Sequence, residues 1–146
     1  MITPDQVSEA VASKLIEHKQ TVGVTDAASL SEDTDAKPLR PPYIGVIVDF
    51  EEESSAETGD NVLMDVPVEV KVLCASAENK SAALSFQQAW AMAEKSIALL
   101  KGVLSVEDEE VDLMLRRRPV TILRNSAEQC VIQVNLYFNI NAVGGE

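Results

Sequence analysis

The sequence predicts an α+β fold, in which a twisted, mainly antiparallel sheet has two helices packed on one face. Three observations predict it. Apolar residues that recur every three or four positions indicate a helix at 81–101, and a second helix near the N-terminus begins with a complete capping signal. Segments that alternate apolar and polar residues flank the 81–101 helix on both sides. The 146 residues match the size of one ordinary domain, so we expect a single domain over 1–146.

The composition argues against several classes of protein. With 46% hydrophobic residues the chain is too apolar to be disordered, yet no run reaches the roughly 18 apolar residues of a membrane helix. A formal net charge of -12 argues against specific nucleic-acid binding, because neutralising phosphates takes clustered Lys and Arg. The first residues lack the basic start and apolar stretch of a signal peptide, so we expect synthesis and use in a cytoplasm.

Residues that commonly carry chemistry are few and scattered. The chain has one His, two Cys, no glycine-rich phosphate loop and no clustered acid–base set. Cys74 and Cys130 lack metal-ligand spacing and are interpreted as buried thiols, and His18 as a group near a helix C-terminus. We therefore expect that the protein is not an enzyme and that it has no catalytic residue, metal site or cofactor. A small-ligand domain would need a pocket built from His18, Tyr43, Tyr137 and carboxylates.

The first predicted helix spans 3–19. Thr3 and Gln6 can cap each other, and Pro4 suits the first turn. An apolar stripe of Val7, Val11 and Leu15 follows. Residues 20–42 show neither the helical period of three to four residues nor the strand period of two. They predict a long connection or arm, in which Val22 and Val24 could form a short strand.

Two strands are predicted around an acidic segment. Tyr43 to Phe50 is rich in β-branched and aromatic residues. From Val66 to Cys74 every second residue is apolar, which predicts one buried face. The intervening 51–61 becomes a protruding acidic loop. This acidic run and a second one at 107–112 are either solvated loops or an electronegative surface for a partner or for passing DNA.

The predicted helix at 81–101 begins at the N-cap residue Ser81 and ends before Gly102. Its core stripe is predicted at spacings of three and four, with the single tryptophan as a core anchor. The stripe consists of Ala82, Phe86, Trp90, Ala93, Ile97 and Leu100.

The last third predicts a β-hairpin with strands at 111–124 and 129–142. One face of the second strand is apolar, and the other carries uncharged polar residues that suit either solvent or a wet interface. The polar members are Gln133, Asn135, Asn139 and Asn141, together with Tyr137.

Three consecutive arginines stand out in so acidic a chain. In a regular strand Arg116 and Arg118 point together and Arg117 points the opposite way. They form either an anion or nucleic-acid patch or, as we favour, ion pairs with acids at 107–110 or 51–57, within the chain or between subunits. The expected interface residues are Arg116, Arg117, Arg118, Glu51, Glu52, Glu53 and Glu57.

The order of these elements resembles a known family. The capped helix opening at Thr3 and Pro4, the long strand 65–74 followed directly by helix 81–101, and the closing hairpin 119–142 are similar to the tail terminator (tail-completion or neck) proteins of long-tailed bacteriophages and prophages.

The resemblance implies a homo-oligomer, a hexameric ring on the last turn of the tail tube that stops tube growth and offers a surface to the head connector. The implied partners are the chain itself, the tube and connector proteins, with DNA passing through the ring and no membrane partner. The implied location is the tail or neck of the virion, after assembly in the cytoplasm of the host bacterium. Two alternatives stay open: another neck or tail component, such as a head-closure or tube protein, and a small-ligand-binding α+β domain.

Overall fold

The computed structural model describes residues 3–30, 40–50 and 65–141. The predicted acidic loop 51–61, with Glu51, Glu52, Glu53 and Glu57, lies outside these residues, as does part of the predicted connection. The elements in chain order are α1 (Pro4–Glu17), α2 (Lys19–Val22), β1 (Asp26–Ser29), β2 (Tyr43–Phe50), β3 (Asp65–Ala75), α3 (Ala82–Leu100), β4 (Gly102–Val106), β5 (Glu109–Asn125) and β6 (Cys130–Asn141).

The strands form one six-stranded sheet in the order β1-β2-β3-β6-β5-β4. β1 runs parallel to β2, and every other neighbouring pair is antiparallel. The predicted α+β class with a mainly antiparallel sheet is therefore confirmed. The short strand expected at Val22 and Val24 is wrong, since Val22 ends α2 and the strand begins at Asp26.

The core lies against the two central strands, β3 and β6. Their alternate residues are buried, as the period-two pattern predicted. These residues are Val68, Val70, Val72 and Cys74 in β3, and Ile132, Val134, Leu136 and Phe138 in β6. α1 packs on β1 and β2 while α3 packs on β6 and β3, and their buried residues join the same core cluster.

The capping signal of α1 is present. The Thr3 hydroxyl accepts a hydrogen bond from the Gln6 amide at 3.2 Å, and the Thr3 amide donates to Gln6 Oε1 at 3.0 Å. The helix ends at Glu17, two residues before the predicted end. His18 is its C-cap residue, with Nδ1 3.0 Å from the Lys14 carbonyl oxygen, which fits the predicted helix-terminal role.

α3 has the predicted N-cap, because the Ser81 hydroxyl accepts from the Leu84 amide at 3.2 Å. Its predicted core stripe is right in part. Ala93 and Leu100 are buried, and Phe86 and Ile97 pack against the core, whereas Ala82 and Trp90 are exposed. Trp90 is 37% exposed and stacks on Phe86, with ring centroids 5.7 Å apart, so it is not a core anchor. The centre of the buried face lies part of a turn from the predicted stripe, and its fully buried residues are Ser85, Ala89, Met92, Ala93, Ser96 and Leu100.

A short hairpin precedes the arginine strand. β4 and the start of β5 are joined by Glu107 and Asp108, whose φ angles are 49° and 70°. Positive φ at two central residues is the geometry of a tight hairpin turn, usually marked by Asn-Gly or Asp-Gly. The acidic segment 107–112 is thus a turn and the beginning of a strand. None of the helices described here is long and apolar enough to cross a membrane.

Candidate interaction surface

A groove lies on the face of the sheet that points away from the core. Its volume is about 740 Å³. Polar and charged side chains from β3, β5 and β6 line most of it. They are Glu69, Lys71, Arg116, Arg117, Arg118, Gln133, Asn135, Tyr137 and Asn139, with Pro67 and Leu115 at the borders. We call this surface the arginine groove.

The register of the central strands explains the floor of the groove. Glu69 pairs with Tyr137 and Lys71 with Asn135 across β3 and β6. Because neighbours in register share a face, the polar residues that alternate with the core residues gather on one side. The polar face predicted for β6 is present at the members whose side chains the structure describes.

Arg116 is fixed in position by two contacts inside the chain. Its Nη2 donates to Glu69 Oε2 at 3.2 Å, and its guanidinium carbon lies 5.1 Å from the centre of the Tyr137 ring. Lys71 Nζ lies 3.8 Å from the other carboxylate oxygen of Glu69. The Arg116 and Glu69 side chains remain 26% and 27% exposed, so solvent screening limits the ion pair to about 1 kcal/mol or less. The contacts therefore orient Arg116 more than they stabilise the fold.

Arg117 and Arg118 lie in a bulge of β5. Leu115 pairs with Leu136 and Val120 with Val134, so residues 116–119 stand opposite the single residue Asn135. The Asn135 amide nitrogen donates to the Arg118 carbonyl at 3.0 Å and to Thr121 Oγ1 at 3.1 Å, which supports the irregular backbone.

The expectation that Arg117 points away from Arg116 and Arg118 assumed a regular strand, and the bulge breaks that alternation. All three arginines line the groove. Arg117 and Arg118 are exposed, and neither forms an ion pair with another residue that the structure describes.

The groove is electropositive on an acidic protein. Among the lining residues that the structure describes, four are cationic and one is a carboxylate, whereas the whole chain has a formal net charge of -12. Glu69 is one partner of Arg116, and the sequence interpretation did not single it out. The period-two pattern already placed Glu69 on the outer face of β3, but its pairing depends on β6 lying between β3 and β5.

The other candidate groups give no catalytic arrangement among the described residues. Burial raises the pKa of the Cys74 thiol to about 12, against a smaller lowering by the Ser96 hydroxyl, and burial also raises the pKa of Cys130. Both are free thiols. No cluster of three or more His, Cys, Asp or Glu suited to a metal occurs in the ranges the structure covers. A smaller cavity of about 340 Å³, beside α1 and β1, is lined by Ala12, Ser13, Ile16, Glu17 and Ala27.

Comparison with known proteins identifies a shared fold. No protein-family model matches the sequence, and no curated protein matches it. Among solved structures, a chain in the virion of a native gene transfer agent (GTA) particle superposes with a TM-score of 0.61. The match covers 93% of this chain and 93% of that chain, at 16% sequence identity. At such low identity the likeness establishes the fold alone.

Proposed function

We propose that the protein is a structural component of a phage-like virion and acts as a tail terminator: a ring that caps the tail tube and joins it to the head connector. The observation that carries the proposal is the fold shared with the gene transfer agent virion chain over 93% of both chains. The order of elements in the sequence, which resembles tail terminators, supports the finer assignment. The role is structural and not enzymatic.

The exposed edge of β5 supports assembly. β4 pairs only with Glu109 to Leu113, so residues 114–125 have no strand on that side among the described elements. Ile122 and Leu123 on this stretch are 50% and 53% exposed. An unpaired, partly apolar edge is a template for another chain, and a closed ring covers such edges.

The two sheet faces suit the proposed subunit. In the proposed subunit, α1 and α3 both cover the core face of the sheet. This agrees with the single core cluster that their buried residues form with those of β3 and β6. The opposite face, with the arginine groove, is then open to neighbours. Arg116, Arg117 and Arg118 would face carboxylates of an adjacent subunit, and the acidic residues of 51–57 would contact the tube or a neighbour. Acidic surface towards the lumen keeps passing DNA from binding.

Gold labelling of purified particles tests this role. A small epitope tag at the C-terminus is detected on particles made by cells that encode the chain. Label at the head–tail junction is the expected result. Label along the tube would identify a tube protein. Label at the vertex of heads that have no tail would identify a head-closure protein. Intact particles that lack the chain would contradict a role in the virion.

A further inference from the structure

The chain carries both a cationic groove and an exposed acidic projection. The projection is the turn between β4 and β5, where Glu107 and Asp108 are exposed, and Glu110, the second residue of β5, is exposed beside it. We call Glu107, Asp108 and Glu110 together the acidic turn. Guanidinium groups pair well with carboxylates, since their planar forks match carboxylate geometry.

The acidic turn cannot reach the arginine groove of its own chain. Glu110, the acid of this turn nearest along β5, lies six positions before Arg116. At a rise of about 3.3 Å per residue the two backbone positions are about 20 Å apart. That distance is well beyond an ion pair and exceeds the Debye length of about 8 Å at physiological salt. Pairing of these two surfaces therefore requires a second copy.

We infer that the acidic turn of one copy docks in the arginine groove of the next copy. The inference rests on the proposed ring and names the contact that builds it. Glu69 and Tyr137 hold Arg116 in place, which leaves Arg117 and Arg118 at the groove to bind the incoming carboxylates. Each subunit offers two different surfaces, so the contact is head-to-tail, and a head-to-tail contact closes into a ring when its rotation allows.

A charge-swap experiment tests the contact on the full chain. The groove variant carries Arg117→Glu and Arg118→Glu, and the turn variant carries Glu107→Lys and Glu110→Lys. Matched controls make the same charge changes at exposed positions elsewhere, Lys80→Glu with Lys95→Glu and Glu78→Lys with Glu94→Lys. Sedimentation velocity across a concentration series, at low and high salt, measures self-association, and circular dichroism verifies folding.

Each variant alone should self-associate about tenfold or more weakly than the wild type, while both controls should behave like the wild type. An equimolar mixture of groove and turn variants should regain the assembly, because every groove then meets a turn of opposite charge. Association of the wild type should weaken as salt rises.

Four results would overturn the inference. Unchanged association of either variant would remove its surface from the contact. Loss in both variants without recovery in the mixture would show that the two surfaces do not meet each other. A wild type that stays monomeric at every concentration, or whose Arg117 and Arg118 bind a fluorescent DNA duplex, would assign the groove to another partner. The gold label on particles decides the proposed virion role independently of these results.

Discussion

Two buried serines of α3 provide a matched test of how this helix faces the core. Ser85 and Ser96 are both 0% exposed, and they stand eleven residues, or about three turns, apart on the same face. The Ser85 hydroxyl donates to the Ala127 carbonyl at 3.0 Å. The Ser96 hydroxyl has no hydrogen bond of ordinary geometry with any described group, although it lies beside the Cys74 thiol. Replacing each by Ala should therefore change stability in opposite directions.

The expected magnitudes follow from these contacts. Ser85→Ala removes the hydrogen bond to the Ala127 carbonyl, which contributes about 1 kcal/mol net, and gains roughly 0.5 kcal/mol of helix propensity. It also removes a longer hydrogen bond of 3.3 Å that the hydroxyl accepts from Asn79 Nδ2, but this donor keeps the Ala77 carbonyl and Gln88 Oε1 as acceptors. The Ala127 carbonyl still accepts a hydrogen bond from the backbone amide of Asn79 at 3.2 Å, so the substitution leaves no buried acceptor without a donor. A loss of about 0.5–1 kcal/mol results. Ser96→Ala removes a desolvated hydroxyl and gains the same propensity, which should raise stability by about 1–2 kcal/mol.

Urea unfolding at a protein concentration below any self-association measures both variants. The midpoints should shift in opposite directions at equal m-values, and the free energies of unfolding should differ by about 2 kcal/mol. If Ser96→Ala destabilised the protein as much as Ser85→Ala, the Ser96 hydroxyl would have a real partner in the core. The assignment of the buried face of α3 would then need revision.

Three further predictions concern the sheet, the turn and the thiols. Leu136→Ala, in the centre of β6, should lower the free energy of unfolding by about 2–5 kcal/mol, whereas Tyr137→Ala, on the groove face, should lower it by roughly 1 kcal/mol or less; urea unfolding distinguishes them. Asp108→Gly should raise the free energy of unfolding by about 0.5–1 kcal/mol, because glycine adopts positive φ without strain. A melting temperature below that of the wild type would contradict the turn geometry. Cys74 should resist a thiol reagent at pH 8 until the chain unfolds. Its raised pKa also predicts that stability is lost as pH rises from 9.0, where the unfolded thiol ionises, towards about 12, and thermal melting at each pH measures this.

The strands with strong local patterns could be predicted from the sequence. β2 has the predicted bounds, and the period-two pattern of β3 and β6 identified their buried residues, because alternation sets which side chains face the core. β1 could not be predicted in the same way. Its residues, Asp-Ala-Ala-Ser, have low strand propensity, and its parallel pairing with β2 is a tertiary contact that no local pattern records.

The face of α3 was misassigned for a physical reason. A hydrophobic stripe through Phe86 and Trp90 looks like the core side when polarity alone is counted. The helix buries alanines and serines together with Met92 and Leu100, and the hydroxyl of Ser85 donates to the Ala127 carbonyl in the turn before β6. A buried serine with a partner in another element is invisible to a periodicity argument.

The candidate site could be predicted in its parts but not in its arrangement. The polar face of β6 and the unusual arginines were evident from the sequence. Their union in one groove depends on the bulge at 116–119 and on the strand order β3-β6-β5, which brings Glu69 to Arg116. Both are properties of long-range pairing.

Molar mass by light scattering across a concentration series, followed by negative-stain imaging of the same sample, tests the central claim most directly. The account predicts a species of about six times the monomer mass that appears as a ring with a central hole. A monomer at every concentration, with no ring on the grid, would contradict the claim that this chain builds a ring by contacts between its own copies.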